Sequence, residues 1–317
     1  MQRDEWATLR RRLECDTVAW PTLGVLLIDG GLLWLSLHLF ARGHWLGAEG
    51  LLLLALLHGY LIHHEAVHGA VFRRSRANAA LGRALGWLLL YPFGPRRKSH
   101  LAHHRWTGHP VGDPTNHRAI ARLRAMSPAQ RRRLEAMWRC GIPVLVLGET
   151  LSLWSQSIGA LSVRRRGALL ALAAVCCGVL AWSGAWRGLA LWYAPAWYAL
   201  LCMEEMINLP HHSGAPLIAG ARPCEFWRQH EVTHSCRSLP LWSSCVLLNF
   251  NLHTAHHYFP SLPWYRLPRA QRLIRGVDPG IGDETENEVA WSWRWRRQPF
   301  RRLFAAYLDA QAAKETP

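Results

Sequence analysis

"HHEAVHG", residues 63–69, is the stretch on which the reading of this chain turns. From His64 it spells H-E-x-x-H, with His64, Glu65 and His68. On a helix, residues four apart share a face, so both imidazoles aim at one point. Two chemistries use such a pair. A zinc protease takes both histidines and one further ligand, with Glu65 as general base. Alternatively, H-x-x-x-H is the first of several histidine groups that together build a larger metal site. Five letters do not choose between these, but the flanking chain does.

Immediately upstream lies an apolar block, Trp45–Ile62, preceded by another, Pro21–Ala41. Each is long enough to cross a bilayer. The turn between them, "RGHWL" from Arg42, is short, so the two form an antiparallel hairpin. His64 and His68 then lie where a helix leaves the membrane. A second uncharged pair follows, Gly167–Trp186 and Gly188–Met203, again joined tightly. The segment 79–92 is apolar but short and carries Arg83, which suits a re-entrant or interfacial helix. Residues 118–140 are arginine-rich and read as a helical region outside the membrane. Residues 141–162 have the length to span but contain Glu149. "WSWRWRRQPFRRLF", near the C-terminus, reads as an interfacial helix.

Composition agrees with this layout. The chain has 317 residues, 50% of them hydrophobic, and a formal net charge of +16. The arginines sit beside apolar blocks and not in one stripe interleaved with aromatics, which argues for a membrane rim and against nucleic-acid binding. The 18 tryptophans suit an interfacial belt. The eight cysteines are scattered with no C-x-x-C pair, against a thiolate zinc site, an iron–sulfur cluster or a disulfide framework. The N-terminus "MQRDEWATLRRRLECD" is polar and carries no cleavable-signal pattern. Charge sets the expected topology. Arg10–Arg12, Arg73, Arg74, Arg76, Arg96–Lys98 and Arg131–Arg133 belong on the cytoplasmic side, and the turns with only Arg42 and Arg187 outside. If 141–162 stays on the cytoplasmic face, the Arg164–Arg166 triplet and every histidine cluster share that face. The expectation is an all-α polytopic bundle of about four spans in two hairpins, with both termini and a di-metal cap in the cytoplasm. Its divisions are a cytoplasmic segment 1–20, a membrane domain 21–275 and a cytoplasmic or interfacial tail 276–317.

The histidines complete the pattern. Of 18, most are clustered. "HLAHH" places His100, His103 and His104 together, and "HTAHH" places His253, His256 and His257. Between them lie His211 and His212 in "NLPHHSG", and His230 and His234 in "WRQHEVTH". H-x-x-H-H aims up to three imidazoles at one point. Three such helices present eight nitrogen donors, too many for one zinc with its three or four ligands and suited to two transition-metal ions. The protease alternative leaves both H-x-x-H-H groups without a role. A histidine-rich metal carrier would place its ligands along the spans, whereas these lie at their ends.

These boxes resemble those of the membrane fatty acid desaturase superfamily, which includes acyl desaturases, lipid hydroxylases and carotenoid ketolases. "SHLAHHRWTGHPVGDPT" is similar to the family's second box with its trailing Asp-Pro, and "LNFNLHTAHHYFPSLPWYRLP" to its third box and tail. The resemblance covers roughly residues 20–275. It implies two iron ions and O₂ as co-substrate, with His64, His68, His100, His103, His104, His253, His256 and His257 as ligands. A ninth comes from the segment before the third box. Asn208-Leu-Pro-His211-His212 is similar to an N-x-x-x-H element of acyl desaturases, favouring His212 with Asn208 as helper. The same letters resemble an L-P-H element of ketolases, favouring His211, and "THSCRSLPL" brings His234 forward. Glu65, Glu204 and Glu205 are candidates to orient ligand imidazoles, and Asp113 is a further candidate to ligate or support the metals. His63, His109, His117 and His230 read as supporting or surface residues, and His38, His44 and His58 as structural. Asp29, inside the first span, is read as a helix-packing hydrogen bond.

The implied chemistry is oxygen-dependent attack on an unactivated C–H bond of a long-chain acyl lipid or other apolar lipid. A second hydrogen abstraction leaves an alkene, and return of oxygen leaves an alcohol. The histidines are the same in both cases. The broader class, acyl desaturation, is favoured, with carotenoid ketolation or hydroxylation as the alternative. No haem-attachment, Cys₄ or G-x-G-x-x-G motif is present. Electrons must therefore come from an external donor, a ferredoxin or small cytochrome with its reductase. A basic cytoplasmic face suits an acidic donor. The expected location is the bacterial inner membrane.

Overall fold

The computed structural model describes residues 1–13, 18–218, 222–281, 286–306 and 308–309. Parts of the expected N-terminal segment (14–17) and tail (282–285, 307, 310–317) lie outside the described residues. Within them the protein is all helical. An amphipathic helix α1 (Arg3–Leu13) opens the chain, and the first hairpin is α2 (Trp20–Ala41) and α3 (Trp45–His68). Then come α4 (Ser75–Leu88), α5 (Phe93–Trp106), α6 (Pro114–Ala125), α7 (Pro128–Arg139) and α8 (Val144–Gly159). The second hairpin is α9 (Val163–Ser183) and α10 (Ala185–Asn208). Shorter helices α11 (His253–Tyr258), α12 (Leu267–Val277) and α13 (Glu288–Arg296) complete the fold.

Three helices are long and apolar enough to cross a membrane: α2, α3 and α9. The fourth expected span lies in α10. That helix is long enough, but Trp, Tyr and Pro195 dilute its hydropathy. Helix α8 has 16 residues, about 24 Å at the α-helical rise, short of the ~30 Å hydrocarbon core. Segment 141–162 therefore does not provide a span. The short helix expected over 79–92 begins earlier, at Ser75, and ends at Leu88.

The core explains the order of the bundle. Helix α3 is the central element. From Ala55 to Val67 every side chain is buried, because α2, α4, α5 and α10 surround its lower half. Helix α9 is its opposite: none of its residues is buried, as befits a span clothed by lipid. The intramembrane Asp29 meets His58 at 2.8 Å, binding α2 to α3, while the other ring nitrogen of His58 faces the Cys245 carbonyl. Asp29 thus has the packing role expected of it.

Gly69 ends α3 in the left-handed conformation (φ 74°), directly after His68. Glu205 lies at the start of α8. One oxygen accepts from the N–H groups of Leu145 and Val146, and the other from Arg296 of α13 at 2.6 Å. One carboxylate so joins α8, α10 and α13. The Trp- and Arg-rich stretch near the C-terminus is folded into this contact. Trp291, Phe300, Leu303 and Phe304 are buried with Ile120 and Trp138 in a core of their own. Helix α1 packs on α12, and Trp6 stacks on Phe259 just beyond α11. The C-terminal ends of α3 and α10, together with α5 and α11, meet at one end of the bundle.

Candidate metal centre

Helix periodicity brings the three boxes together. Five imidazoles, His64, His68, His100, His104 and His256, have ring nitrogens all within 4.8 Å of one another. A second group, His103, His212 and His257, meets the same criterion. His253 adjoins it, its Nε2 3.0 Å from the Nε2 of both His212 and His257. The two groups touch: the His104 ring stacks on His257 with centroids 4.0 Å apart. All nine histidines first in rank from the sequence are therefore in one cluster.

The hydrogen bonds behind the rings decide which nitrogen faces inward. His103 Nδ1 lies 3.0 Å from Asp113 Oδ2, His257 Nδ1 3.0 Å from Gln229 Oε1, and His212 Nδ1 3.3 Å from the Val232 carbonyl. Each partner is an acceptor, so each Nδ1 carries the hydrogen. The three Nε2 lone pairs are then turned toward one another. His103 and His212 so bring two lone pairs to 3.1 Å with no hydrogen between them, an arrangement that a cation relieves, and His253 Nε2 lies 3.0 Å from the same His212 nitrogen. In the other group, the Nε2 atoms of His64 and His68 are buried and have no hydrogen-bond partner. His100, His104 and His256 bring their Nε2 atoms within 3.0–3.2 Å in succession. Neutral imidazole is the ligating form, and the site enforces it. Burial first, then neighbouring imidazoles, holds His100, His104, His212, His253 and His257 well below the usual imidazole value. His256 is pushed down to about 3. The donor set is all nitrogen, which suits iron among other transition ions, and nine donors are enough for two.

The remaining candidates are placed as follows. His211 stacks on His253 at 4.1 Å, its Nδ1 faces the His234 carbonyl, and its Nε2 is buried without a partner. It flanks the second group. His234 contributes its main chain to His211 and does not bring its ring to either group. Asn208 donates to Tyr60 Oη at 3.0 Å and to the Glu204 carbonyl at 2.7 Å. Glu65 differs from the sequence expectation. It accepts from the Trp264 main-chain N–H and, at 3.0 Å, from the Thr22 hydroxyl. It fastens α3 to α2 and to the tail of the third box, and so orients no imidazole. A carboxylate so engaged is no general base, which removes the protease reading. Glu204 and Glu205 hold no imidazole either. His63 sits edge-on to Tyr91 and Phe93, and His230 meets Tyr258 Oη at 2.6 Å. His109 accepts from the N–H groups of its own loop, and His117 is exposed.

Sequence reasoning missed Gln229 and the Val232 carbonyl. Gln229 is fully buried, and its amide is oriented by donating to the Cys224 carbonyl at 3.3 Å. It lies inside "WRQHEVTH", immediately before His230. Gly108 has φ 74°, and a Cβ there would meet Val232 Cγ1 at 2.4 Å, so the main chain holding His212 depends on that glycine.

A cavity of about 280 Å³ opens on this centre. His100, His103, His212 and His253 are among its lining, together with the apolar Leu123, Leu134, Val144, Phe300, Leu303 and Phe304 and the charged Arg118, Arg122 and Glu149.

Two predictions arise here. Asp113→Asn keeps a cap for α6, because Asn also accepts from Thr115, but removes the charge behind His103. Metal affinity is expected to fall about 10–100-fold with little loss of fold, read by competition with a chelator. The second concerns pH. The buried imidazoles have folded values below the unfolded value of 6.5, so the unfolded chain takes up protons that the folded chain refuses. The contribution of these imidazoles to the stability of the metal-stripped chain is therefore fully present above 6.5 and lost progressively toward about 3, where His211 and His256 titrate. Thermal unfolding with chelator, between about pH 7.5 and 5.5, should show a midpoint that falls with pH.

Comparison with known proteins gives the same direction. A fatty acid desaturase family model matches residues 43–285. Zeaxanthin 4-ketolase of Chlamydomonas reinhardtii is 26% identical over 224 residues, 69% of this chain and 42% of the relative. A beta-carotene ketolase of Paracoccus sp. (strain PC1) is 27% identical over 261 residues, 81% of this chain and 83% of the relative. The endoplasmic reticulum omega-3 fatty acid desaturase of Vigna radiata var. radiata is 24% identical over 255 residues, 73% and 63%. The chain thus spans less than half of the Chlamydomonas relative's length.

Proposed function

Since this chain belongs to the fatty acid desaturase family, we propose that it is a membrane-bound, O₂-dependent oxidoreductase that oxidises a C–H bond of an apolar lipid, by oxygenation of a methylene to a ketone in a carotenoid-type substrate. The observation that carries the lipid oxidase reading is the joining of nine converging imidazoles to a cavity lined in large part by Leu, Val and Phe side chains. Oxygenation is favoured over the broader acyl-desaturase expectation because ketolases outnumber desaturases among the relatives compared. The omega-3 desaturase relative and the Asn208-x-x-x-His212 spacing support acyl desaturation as the second reading.

Two iron ions held by the imidazoles would supply the chemistry of O₂ activation and C–H cleavage. The residues of this chain do the rest. Asp113, Gln229 and the Val232 carbonyl keep three Nε2 lone pairs inward. Leu123, Leu134, Phe300 and Phe304 bury the apolar body of the substrate and leave one carbon beside the imidazoles. Each oxygenation of a methylene takes up one O₂, two electrons and two protons and releases one water. Two at the same carbon, followed by loss of water, give the ketone. Desaturation has the same O₂ and electron demand. The chain carries no motif for a redox carrier, so an acidic ferredoxin or cytochrome at the basic cytoplasmic rim completes the proposal.

The test is expression in a bacterium that accumulates beta-carotene and zeaxanthin beside its own acyl lipids, with mass spectrometry of both pools. Carotenoids that gain a carbonyl support ketolation. Acyl chains that lose two hydrogens, with carotenoids unchanged, support the second reading. No change in either pool, with iron loaded and a donor supplied, would refute both.

A further inference from the structure

Four residues before an imidazole in each of three segments lies a second polar layer. Tyr60 precedes His64 by four residues on α3, Arg96 precedes His100 by four on α5, and Asn208 precedes His212 by four at the end of α10. On α3 and α5 such spacing stacks each pair on one helix face, about 6 Å apart along the axis, whereas a 3-10 turn, Leu209–His211, separates Asn208 from His212. The three side chains are tied together. Arg96 donates to Tyr60 Oη at 3.3 Å and to Glu149 at 2.7 Å, and Asn208 donates to Tyr60 Oη at 3.0 Å. Glu204, one turn before Asn208, completes the layer.

Two features of this layer face the cavity with their hydrogen-bonding capacity unused. Tyr60 accepts from both neighbours, so its own O–H remains to donate. Glu204 is 1% exposed, and its Oε1 is buried with no partner. The layer holds one guanidinium for two carboxylates, and Arg96 bonds Glu149 and not Glu204. A buried acid without a partner is costly, and here it lines the same cavity as His100, His103 and His212. A pure hydrocarbon cannot satisfy either group. A hydroxyl satisfies both, accepting from Tyr60 and donating to Glu204.

We propose that Tyr60 and Glu204 bind a hydroxyl group of the substrate, placed close to the carbon to be oxidised, so that the preferred substrate is a hydroxylated lipid and not its hydrocarbon parent. This rests on the lipid-oxidation reading above. Arg96 and Asn208 act as positioning residues, holding the Tyr60 oxygen. The apolar lining of the cavity receives the remainder of the molecule.

The test compares zeaxanthin and beta-carotene, which share a skeleton and differ in their ring hydroxyls. Binding to the full-length, iron-loaded protein in lipid nanodiscs is read by quenching of tryptophan fluorescence. Zeaxanthin is expected to bind at least ~10-fold more tightly. Glu204→Leu and Tyr60→Phe should each bring the two affinities together by weakening zeaxanthin alone. If Glu204→Leu does not fold, Tyr60→Phe decides. Equal affinities in the unmodified protein, failure to bind either carotenoid, or a preference that survives both substitutions would overturn the proposal. A preference that both substitutions abolish, with neither carotenoid converted when O₂ and electrons are supplied, would leave the hydroxyl site standing and overturn the oxidation reading instead.

Discussion

His257→Ala and His68→Ala are expected to abolish turnover while each loosens the hold on a different half of the metal. His257 belongs to the group with His103 and His212, and its Nε2 also lies 3.0 Å from that of His253. Without it that ion keeps three nitrogens at most. His68 belongs to the other group, where four imidazoles would remain. A single ion takes three or four protein ligands, so nine donors correspond to about two ions, and each substitution weakens the hold on one of them, so that under chelator challenge the content should fall from about two per chain toward about one. That fall should come at a lower chelator concentration in His257→Ala than in His68→Ala, because its group has fewer donors to spare. Under the proposed function oxidation needs both ions together, so activity should fall to background in both variants. Metal analysis of each variant beside product analysis checks this. Loss of both ions from either substitution would mean that the groups form one cooperative site, and loss of neither would remove these residues from the ligand set.

The second large effect concerns the fold. Arg96→Met takes the only guanidinium out of the polar layer beneath the centre. Arg96 is 7% exposed, and its partner at 2.7 Å is Glu149. Breaking a buried pair from one side typically costs about 3–5 kcal/mol, because the remaining charge keeps its desolvation penalty and loses its compensation. Glu149 retains some solvent contact, which places the expected loss near the lower end, about 3 kcal/mol. The pair also bolts α5 to α8, so the loss should appear as a lower thermal midpoint in detergent. Adding Glu149→Gln removes the stranded charge and should recover a large part of that loss. A double variant no more stable than the single one would show that the pair is not the source of the effect.

The histidine boxes were legible because their geometry is local. Spacings of three and four residues aim ligands at one point whatever the tertiary fold, and His64, His100 and His253 with their box-mates are all found together. The hairpins were legible from hydropathy and turn length, and the exclusion of 141–162 as a span from charge bookkeeping. What escaped was long-range pairing. Nothing near Gln229 announces that its oxygen will hold His257, 28 residues away. Glu65 is part of a motif with a known catalytic use, yet its partners are Thr22, and Trp264 at a separation of 199 residues. Hydropathy alone placed the Trp- and Arg-rich stretch at a membrane surface. The burial of its Trp291, Phe300, Leu303 and Phe304 goes with Arg296 finding Glu205 on α10, and with Phe300 meeting Trp138 edge-on at 5.3 Å. The choice among His211, His212 and His234 was also tertiary, since it depends on which imidazole turns its Nε2 toward His103 and His253. His212 does so.

The central claim is that these nine imidazoles hold two iron ions beside a cavity lined largely by apolar side chains. The most direct test is the metal content of the full-length protein, purified from iron-supplemented cells and measured by plasma mass spectrometry with Mössbauer spectroscopy of the same sample. The account predicts about two irons per chain, both in nitrogen-rich environments, with one lost under chelator challenge in His257→Ala. One zinc per chain, retained in His257→Ala and lost in His64→Ala, would contradict it and return the H-E-x-x-H stretch to the chemistry of a zinc site.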